Sequence, residues 1–268
     1  MSDLLLSGST GLTTGKWMIT IPLLLMIAAL IACAGGGEDS AFAKIRSKGI
    51  LRIGTDATYP PFEFNDNKSG QLVGFDIDLM KAICGRLKLK PEFIVVPFGG
   101  IIAGLRSNIY DCVISAMTIT PERLAAVDFT IPYYEAGQTI AVPLADTAIS
   151  SPDDLKGKKI GVQLGTTGEI MAKSIEGAQV ISFDNIGAAF IDMENGHLDA
   201  VLNDAPTSRR AIRVRGNAKI VGPLLSAESY GIAVANTNKD LLAALNEALQ
   251  ELIDEGLTDS LNGIWVEK

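Results

Sequence analysis

Apolar positions follow two different periodicities along most of the chain. Residues 50–54 and 159–163 are short, largely apolar runs, which predict buried strands. Residues 75–87 and 240–255 repeat apolar side chains at helical spacing, which predicts helices with one buried face. Because the two kinds of segment follow one another over short connections, the pattern predicts an α/β fold.

The same alternation continues through the rest of the chain. It predicts further strands at 92–96, 111–115, 180–183, 199–203, 220–224 and 231–235, and further helices at 99–108, 169–175 and 186–195. Thr120 and Pro121 are typical of a helix start, because a threonine side chain caps free N–H groups and proline fits the first turn. The alternation starts again after residue 134, which indicates two lobes of similar size.

Residues 1–32 are predicted to be a signal peptide and not part of the fold. Residues 17–32 form a largely apolar run of 16 residues, shorter than the roughly 20 residues that a membrane-spanning helix needs. Lys16 precedes this run, and a basic residue before a short apolar core is typical of a secretory signal. We therefore expect an exported protein.

The end of this leader resembles the lipobox of bacterial lipoproteins. Leu30-Ile31-Ala32 leads to Cys33, and a glycine-rich stretch follows. The resemblance implies that Cys33 becomes the lipidated first residue and that residues 33–43 form a flexible linker. The protein is then expected in the periplasm or at the cell surface, attached to a membrane by its lipid anchor.

Composition removes several classes of function. The chain has 23 Lys and Arg against 31 Asp and Glu, a net charge of −8. Phosphate backbones repel an acidic chain without basic runs, so no nucleic-acid partner is expected. His197 is the only histidine, so the chain has no other imidazole for a catalytic triad. His197 itself is assigned no role. The sequence has no metal-ligand spacing and no phosphate-binding loop, so no metal or other cofactor is expected.

Two cysteines remain in the mature chain, Cys84 and Cys112. Export makes a disulfide between them chemically possible. Both lie in apolar patterns, where buried free thiols are common. The sequence favours free thiols and leaves the pairing open.

Four segments resemble the extracytoplasmic polar amino-acid-binding proteins of ABC importers, solute-binding family 3. They are GTDATYPPFEF at 54–64, GFDIDL at 74–79, MTITPER at 117–123 with DFTIPYY at 128–134, and DAVLND at 199–204. The resemblance covers residues 44–268 and implies the type II periplasmic-binding-protein fold, with the ligand in a cleft between two lobes. It implies lobe 1 at 44–132 plus 234–268, lobe 2 at 138–228, and hinge crossovers at 133–137 and 229–233.

The resemblance also implies how an amino-acid carboxylate is held. Arg123 is the expected partner, because its planar guanidinium donates two parallel charge-assisted hydrogen bonds that lysine cannot reproduce. It lies about one turn into the helix opened by Thr120, near free backbone N–H groups. Thr118 is expected to assist from lobe 1. Thr166 and Thr167 are expected to contribute from lobe 2, where a glycine-rich turn leads into a helix.

The ammonium group and the side chain of the ligand need other partners. Asp204 ends a predicted strand and matches the ammonium acceptor of the family. Further residues that the resemblance assigns to ligand binding are Asp56, Tyr59, Phe98, Ala116, Gln163 and Asn203. Arg123 with two acids, Asp56 and Asp204, gives the site a net charge of −1. This charge favours arginine, lysine or histidine, tolerates glutamine, and disfavours glutamate or aspartate.

The resemblance implies a binding protein, not an enzyme. The expected function is to capture a polar L-amino acid by cleft closure and to deliver it to the membrane permease of an ABC importer. A monomer is expected. The alternative is a cyclohexadienyl (prephenate or arogenate) dehydratase on the same fold, which needs a general acid aimed at a leaving hydroxyl and no ammonium acceptor. The presence of both Arg123 and Asp204 favours the binding protein.

Overall fold

The computed structural model describes residues 40–267. The predicted signal peptide at 1–32, the lipidation site Cys33 and the first part of the predicted linker lie outside the described residues. Between residues 40 and 267, none of the helices is both long enough and apolar enough to cross a membrane.

The first described element is a helix, which overlaps the end of the predicted linker at 33–43. It spans Ala41–Lys48 and ends at Gly49, whose φ of 70° is readily adopted by glycine. The backbone N–H of Phe42 donates to Asp240 Oδ2 at 2.9 Å, which ties this helix to the C-terminal part of the chain.

Strands and helices alternate through the described chain, as the sequence predicts. The strands are β1 (Ile50–Thr55), β2 (Thr58–Tyr59), β3 (Glu63–Asn65), β4 (Leu72–Val73), β5 (Lys90–Val95), β6 (Cys112–Val113), β7 (Asp128–Phe129), β8 (Tyr134–Ala136), β9 (Gln138–Pro143), β10 (Lys159–Gln163), β11 (Gln179–Phe183), β12 (Ala200–Asp204), β13 (Ala218–Val221), β14 (Glu228–Tyr230) and β15 (Ala233–Val234). The helices are α1 (Ala41–Lys48), α2 (Phe75–Leu87), α3 (Ile101–Arg106), α4 (Pro121–Leu124), α5 (Thr167–Lys173), α6 (Ile186–Glu194), α7 (Ala205–Arg215), α8 (Lys239–Asp254) and α9 (Leu257–Leu261). Single helical turns occur at Phe98–Gly100, Pro152–Leu155 and Asn262–Val266.

Two five-stranded sheets form the framework. The first has the order β5-β1-β6-β15-β7, with β1 parallel to β5 and β6 and with β15 antiparallel to both of its neighbours. The second has the order β11-β10-β12-β9-β13, with β10 parallel to β11 and β12 and with β9 antiparallel to both of its neighbours. Mixed sheets covered by helices confirm the predicted α/β class.

A short two-stranded sheet lies between these frameworks in the chain. β8 pairs with β14 in antiparallel register, with Tyr134 opposite Tyr230. These strands overlap the crossovers predicted at 133–137 and 229–233. Phe62 packs on the ring of Tyr230 with ring centroids 5.3 Å apart, and Tyr134 stacks on Tyr230 at 5.6 Å. The aromatic contacts fix Tyr230, whose hydroxyl faces the site described below.

Helix α2 shows how closely the apolar pattern determines an element. Its observed bounds are those that the sequence predicts. Ile77, Met80, Ile83 and Cys84 are all fully buried, as expected for one apolar face turned to the core. Cys84 and Cys112 are free thiols, and burial raises the pKa of Cys84 to about 12.

Other elements differ from the prediction for physical reasons. The strand predicted at 111–115 is limited to Cys112–Val113, because the chain turns away at Ala116, whose φ is 43°. The helix predicted at 169–175 begins earlier, at Thr167, because the Thr166 hydroxyl caps the backbone N–H of Glu169.

Helix α7 and strand β9 are absent from the sequence prediction. α7 carries four arginines and few apolar positions, so its periodicity is weak. It also follows β12 without a connecting residue, because Asp204 both ends the strand and caps the helix. β9 lies among the residues immediately after the predicted first crossover, where no strand signal was identified.

Candidate functional site

A cavity lies where residues from both five-stranded frameworks meet. Its wall is formed by Asp56, Tyr59, Glu63, Phe98, Ser115, Ala116, Thr118, Arg123, Gln163, Thr166, Thr167 and Asp204. The predicted site residues are therefore brought together, except that Asn203 lies behind the wall. Glu63 and Ser115 are wall residues that the sequence reasoning did not select, although they lie in or beside the motifs.

Arg123 supplies the positive charge of the site. The Thr120 hydroxyl accepts a hydrogen bond from the Arg123 backbone N–H at 3.2 Å and so caps α4. The guanidinium donates to the carbonyl of Thr118 at 2.7 Å and to the carbonyl of Gly165 at 3.1 Å. It also lies 5.3 Å from the centre of the Phe98 ring. Thr118 and Gly165 belong to opposite sides of the cleft, so this side chain spans it.

The charges around Arg123 are unusually negative for a buried site. Burial lowers the pKa of Arg123, and the negative charges of Asp204 and Glu228 oppose that effect. An arginine retains its proton under these conditions. The guanidinium is therefore a fixed, buried cation, which attracts a carboxylate more strongly than it would in water.

Asp204 supplies a buried carboxylate opposite this cation. Its oxygens accept hydrogen bonds from the Gln138 amide and from the Tyr230 hydroxyl. Burial, with a further contribution from the charge of Glu228, raises the pKa of Asp204 to about 6. A cationic group placed beside it favours the ionised carboxylate, which suits Asp204 to hold an ammonium group.

Glu228 is a third charged residue of the site, which the sequence reasoning missed. Its Oε2 accepts hydrogen bonds from the hydroxyls of Thr118 at 2.7 Å and Thr167 at 2.9 Å. Ser226 donates to its other carboxylate oxygen at 2.8 Å. Glu228 is the first residue of β14, one position before the crossover predicted at 229–233, and this placement was the available signal.

The two predicted threonines, Thr166 and Thr167, have different hydrogen-bond partners. The Thr166 hydroxyl donates to the Gln163 carbonyl at 2.7 Å and accepts from the Glu169 backbone, so it mainly shapes the turn that begins α5. The Thr167 hydroxyl donates to Glu228 and accepts from the Gln138 amide at 3.0 Å. Both threonines line the cavity, and Thr167 also belongs to the charged network.

Asp56 lies in a second polar part of the cavity. Its Oδ2 accepts hydrogen bonds from the Phe98 backbone N–H at 2.9 Å and from the Gln163 amide at 3.0 Å, and its Oδ1 accepts from the Thr58 hydroxyl. Burial raises the pKa of Asp56, and these donors act against that rise. Since both oxygens accept hydrogen bonds, the arrangement suits an ionised carboxylate.

Tyr59 makes another contact across the cleft. Its hydroxyl donates to Asn203 Oδ1 at 2.7 Å in a fully buried pair. Asn203 therefore acts through Tyr59 rather than as part of the cavity wall. His197, which was assigned no role, lies away from these contacts and pairs with Asp192 on the surface.

The chemistry of the cavity is that of a zwitterion site. The guanidinium of Arg123 can bind a carboxylate, and the carboxylate of Asp204 can bind an ammonium group. Glu228 adds negative charge behind the hydroxyls of Thr118 and Thr167. Among residues 40–267, no group of three or more His, Cys, Asp or Glu side chains is placed to hold a metal ion.

Two curated relatives from Escherichia coli (strain K12) resemble the chain over most of its length. ABC transporter arginine-binding protein 1 is 36% identical over 248 residues, which are 90% of this chain and 98% of the relative. L-cystine-binding protein TcyJ is 30% identical over 250 residues, which are 90% of this chain and 94% of the relative.

Solved structures show the same fold. An ancestral arginine-binding protein bound to arginine is 47% identical with a TM-score of 0.77, covering 81% of this chain and 98% of that one. An ancestral arginine-binding protein bound to glutamine is 45% identical with a TM-score of 0.76, covering 82% and 99%. The ancestral amino acid-binding protein AncCDT-1, a precursor of cyclohexadienyl dehydratase, is 39% identical with a TM-score of 0.81, covering 85% and 100%.

These likenesses agree with the family implied by the four sequence motifs, and with the framework of two sheets beside the cavity described above. The sequence model of the bacterial extracellular solute-binding proteins, family 3, matches residues 51–268, which are most of the chain. The chain belongs to the bacterial extracellular solute-binding proteins, family 3.

Proposed function

We propose that this protein is the substrate-binding component of an amino-acid ABC importer, with arginine as its preferred ligand. The observation that carries the proposal is the buried Arg123 guanidinium faced by the carboxylates of Asp204 and Glu228. In this site the ligand carboxylate binds Arg123 and the ligand ammonium binds Asp204. The relative named as an arginine-binding protein supports this assignment.

The charge of the cavity supports a cationic ligand. The sequence predicts one cation, Arg123, and two acids, Asp56 and Asp204, in the site. The structure adds the acids Glu228 and Glu63, and Asp76 lies behind Glu63. A ligand with a positive side chain offsets this excess, whereas glutamate adds to it. Glutamine is neutral and has a shorter side chain, so we expect it to bind less tightly than arginine.

Capture and delivery follow from cleft closure. A ligand that contacts both sides of the cleft is bound more tightly in the closed form, so it shifts the population towards that form. Three hydrogen bonds across the cleft can stabilise the closed form. They join Tyr59 to Asn203, Asp56 to Gln163 and Arg123 to Gly165. The closed form is then the one presented to the permease.

The direct test is calorimetric titration of the protein after unfolding and refolding to remove bound amino acid. The titrants are arginine, lysine, histidine, cystine, glutamine, glutamate and prephenate. We expect one-to-one binding with arginine tightest and glutamate weakest. Tightest binding of glutamate would contradict the charge argument. Turnover of prephenate without binding of any amino acid would replace the proposal with the dehydratase alternative.

We also propose that Cys33 carries a lipid that attaches the protein to a membrane, as the lipobox-like sequence implies, and that the protein acts as a monomer. The lipid is tested by growing expressing bacteria with a labelled fatty acid. We expect label in the wild-type protein and none in C33S, which keeps the rest of the leader. Sedimentation of the chain that follows Cys33 measures its molecular mass and so tests whether it is a monomer.

A further inference from the structure

A buried pair of carboxyl groups, Glu63 and Asp76, lies in and directly behind the cavity wall. Both side chains are 0% exposed. Glu63 is the first residue of β3 and forms part of the wall, whereas Asp76 is in the first turn of α2. The sequence assigns neither residue a role.

The hydrogen bonds around the pair account for two of its four oxygens. The Ser115 hydroxyl donates to Glu63 Oε1 at 2.8 Å. The Ala116 backbone N–H at 2.7 Å and the Tyr133 hydroxyl at 2.9 Å both donate to Asp76 Oδ2. The other two oxygens, Glu63 Oε2 and Asp76 Oδ1, are buried and have no donor among the described residues.

The two carboxyl groups are neighbours, because Ser115 and Ala116, which are adjacent in the chain, donate to Glu63 and to Asp76 respectively. Each carboxyl group also acts on the pKa of the other. Two ionised carboxylates in contact repel strongly, so such a pair retains a proton that one group donates to the other. A proton shared by the two groups would give the remaining oxygens, Glu63 Oε2 and Asp76 Oδ1, the partner that they otherwise lack. Burial and the neighbouring carboxyl raise the pKa of Glu63 well above its usual range, and burial raises that of Asp76 to about 7.

The surroundings of the pair contain acids and phenols. Asp56 follows β1, Tyr59 is in β2 and Tyr133 precedes β8, and each acts electrostatically on Glu63 or is acted on by it. The main electrostatic effects on the pair come from other carboxyl groups, and none of these main effects comes from a cation. The charges that act on Arg123 come instead from Asp204 and Glu228. The cavity thus has one charged part that suits the α-groups of an amino acid and another that faces the ligand side chain.

We infer that the Glu63–Asp76 pair keeps one proton while the side-chain part of the cavity lacks a cation, and releases it when a ligand with a cationic side chain binds. The pair is therefore a positioning and specificity element whose charge adapts to the ligand. With glutamine the proton stays and the pair contributes one negative charge. With arginine the proton leaves to solvent and the pair contributes two. This inference rests on the proposed amino-acid function.

The sign of the pH dependence follows. A cation beside the pair stabilises its fully ionised form, so binding of arginine lowers the pKa of the pair. Arginine affinity then increases with pH until the pair is already ionised in the free protein. Glutamine affinity has no such component, because its side chain brings no charge.

The experiment counts the protons released on binding. Arginine and glutamine are titrated at pH 7 in buffers of different ionisation enthalpy, and the slope of observed heat against that enthalpy gives the proton count. Asp204 contributes equally with both ligands, since both carry an ammonium group, so the difference isolates the side-chain part. We expect arginine to release more than glutamine, by up to about one proton.

Two variants assign this proton. In E63Q the amide donates to Asp76 and its carbonyl accepts from Ser115, so the variant imitates the protonated pair and cannot lose the proton. We expect the arginine–glutamine difference in released protons to vanish in E63Q and arginine binding to weaken. E176Q, at a side chain that is 86% exposed, is the matched control and should keep the difference.

The outcomes separate this inference from the proposed function. Equal proton release with both ligands in the wild-type protein overturns the inference while leaving arginine binding intact, and this comparison requires no variant. Retention of the difference in E63Q assigns the proton to another group, with Asp56 first among them, and also overturns it. Failure of arginine to bind at all overturns the proposed function instead.

Discussion

Arg123 shows at the scale of one residue why the identity of a cation matters. Its two terminal nitrogens reach carbonyl groups on opposite sides of the cleft, at 2.7 Å and 3.1 Å, so the fork bridges the cavity. A lysine ammonium is a compact point charge without a planar fork, so it cannot reproduce both hydrogen bonds. The residue therefore combines charge for the ligand with a geometry that links the two sides.

We expect R123A to weaken arginine binding by on the order of 100-fold, because removal of one partner of a buried charge pair costs about 2–5 kcal/mol. R123K is the matched variant, since it keeps the charge and loses the fork, and we expect it to fall between R123A and the wild type. Calorimetry measures the affinities. Equal affinities of R123K and wild type would show that charge alone suffices.

Asp204 gives a pH dependence that all amino acids share. Its pKa is about 6, and only the ionised form accepts an ammonium ion. The ionised fraction falls as the pH falls through 6, so affinity should decrease by about tenfold per pH unit below that value. Titrations of glutamine at pH 4.5–7.5 measure this limb.

The control for this prediction is D204N, whose amide does not titrate. It should bind glutamine weakly at every pH and lack the limb near pH 6. A limb that persists in D204N would belong to another acid of the cavity, and the assignment of the ammonium to Asp204 would be wrong.

Individual residues also show where sequence reasoning stops. Arg123 and Asp204 lie within motifs whose chemistry is evident, so their place in the cavity is predictable. Glu228 is distant in sequence from Thr118 and Thr167, and only the tertiary structure brings its carboxylate between their hydroxyls. Glu63 was inside a recognised motif, but its burial against Asp76 depends on how β3 packs on α2.

At the scale of elements, the start of α2 depends on one glycine. Gly74 has a φ of 134°, and a Cβ at this position would lie 2.1 Å from the Phe62 carbonyl oxygen. A side chain would therefore clash with backbone and strain the turn that places Asp76. Gly85, near the other end of α2, has open space around its Cα.

We expect G74A to lower the free energy of unfolding by about 2 kcal/mol or more and the melting temperature by about 4–8 °C. G85A is the matched control on the same helix. It should raise the free energy of unfolding by about 0.5–1 kcal/mol, because alanine is the better helix former. Thermal unfolding followed by circular dichroism measures both, and similar behaviour of the two variants would refute the role of Gly74.

Elements with a strong apolar period could be predicted closely, and α2 is the clearest case. α7 was not predicted, because its surface carries arginines and it has few buried positions, so its apolar periodicity is weak. The ends of several elements shifted for local reasons, such as the Thr166 cap of α5 and the turn at Ala116 after β6. Capping and backbone turns of this kind are set by contacts that a linear pattern does not contain.

At the scale of the whole molecule, the direct hydrogen bonds across the cleft set the balance between open and closed forms. The bond from Tyr59 to Asn203 is buried and joins β2 to β12. A bond of this kind contributes about 1 kcal/mol. Its loss should favour the open form and weaken ligand binding by about fivefold.

Y59F tests this expectation by small-angle scattering, which should give a larger radius of gyration without ligand and the wild-type value at saturating ligand. Y110F is the matched control, because the Tyr110 hydroxyl bonds to the Ile101 carbonyl within one side of the molecule. It is expected to affect stability without opening the cleft. An unchanged radius and affinity in Y59F would mean that this bond does not limit opening.

The position of β15 has a consequence for the order in which the protein is completed. All strands of the second sheet lie within residues 138–221, whereas the first sheet places Ala233–Val234 between β6 and β7. A chain made from its N-terminus can therefore finish the second sheet while the first still has a gap. Until Ala233–Val234 arrives, β6 and β7 present unpaired edges to which other strands can bind. Newly made protein thus passes through a stage in which its second half is folded and its first half needs protection.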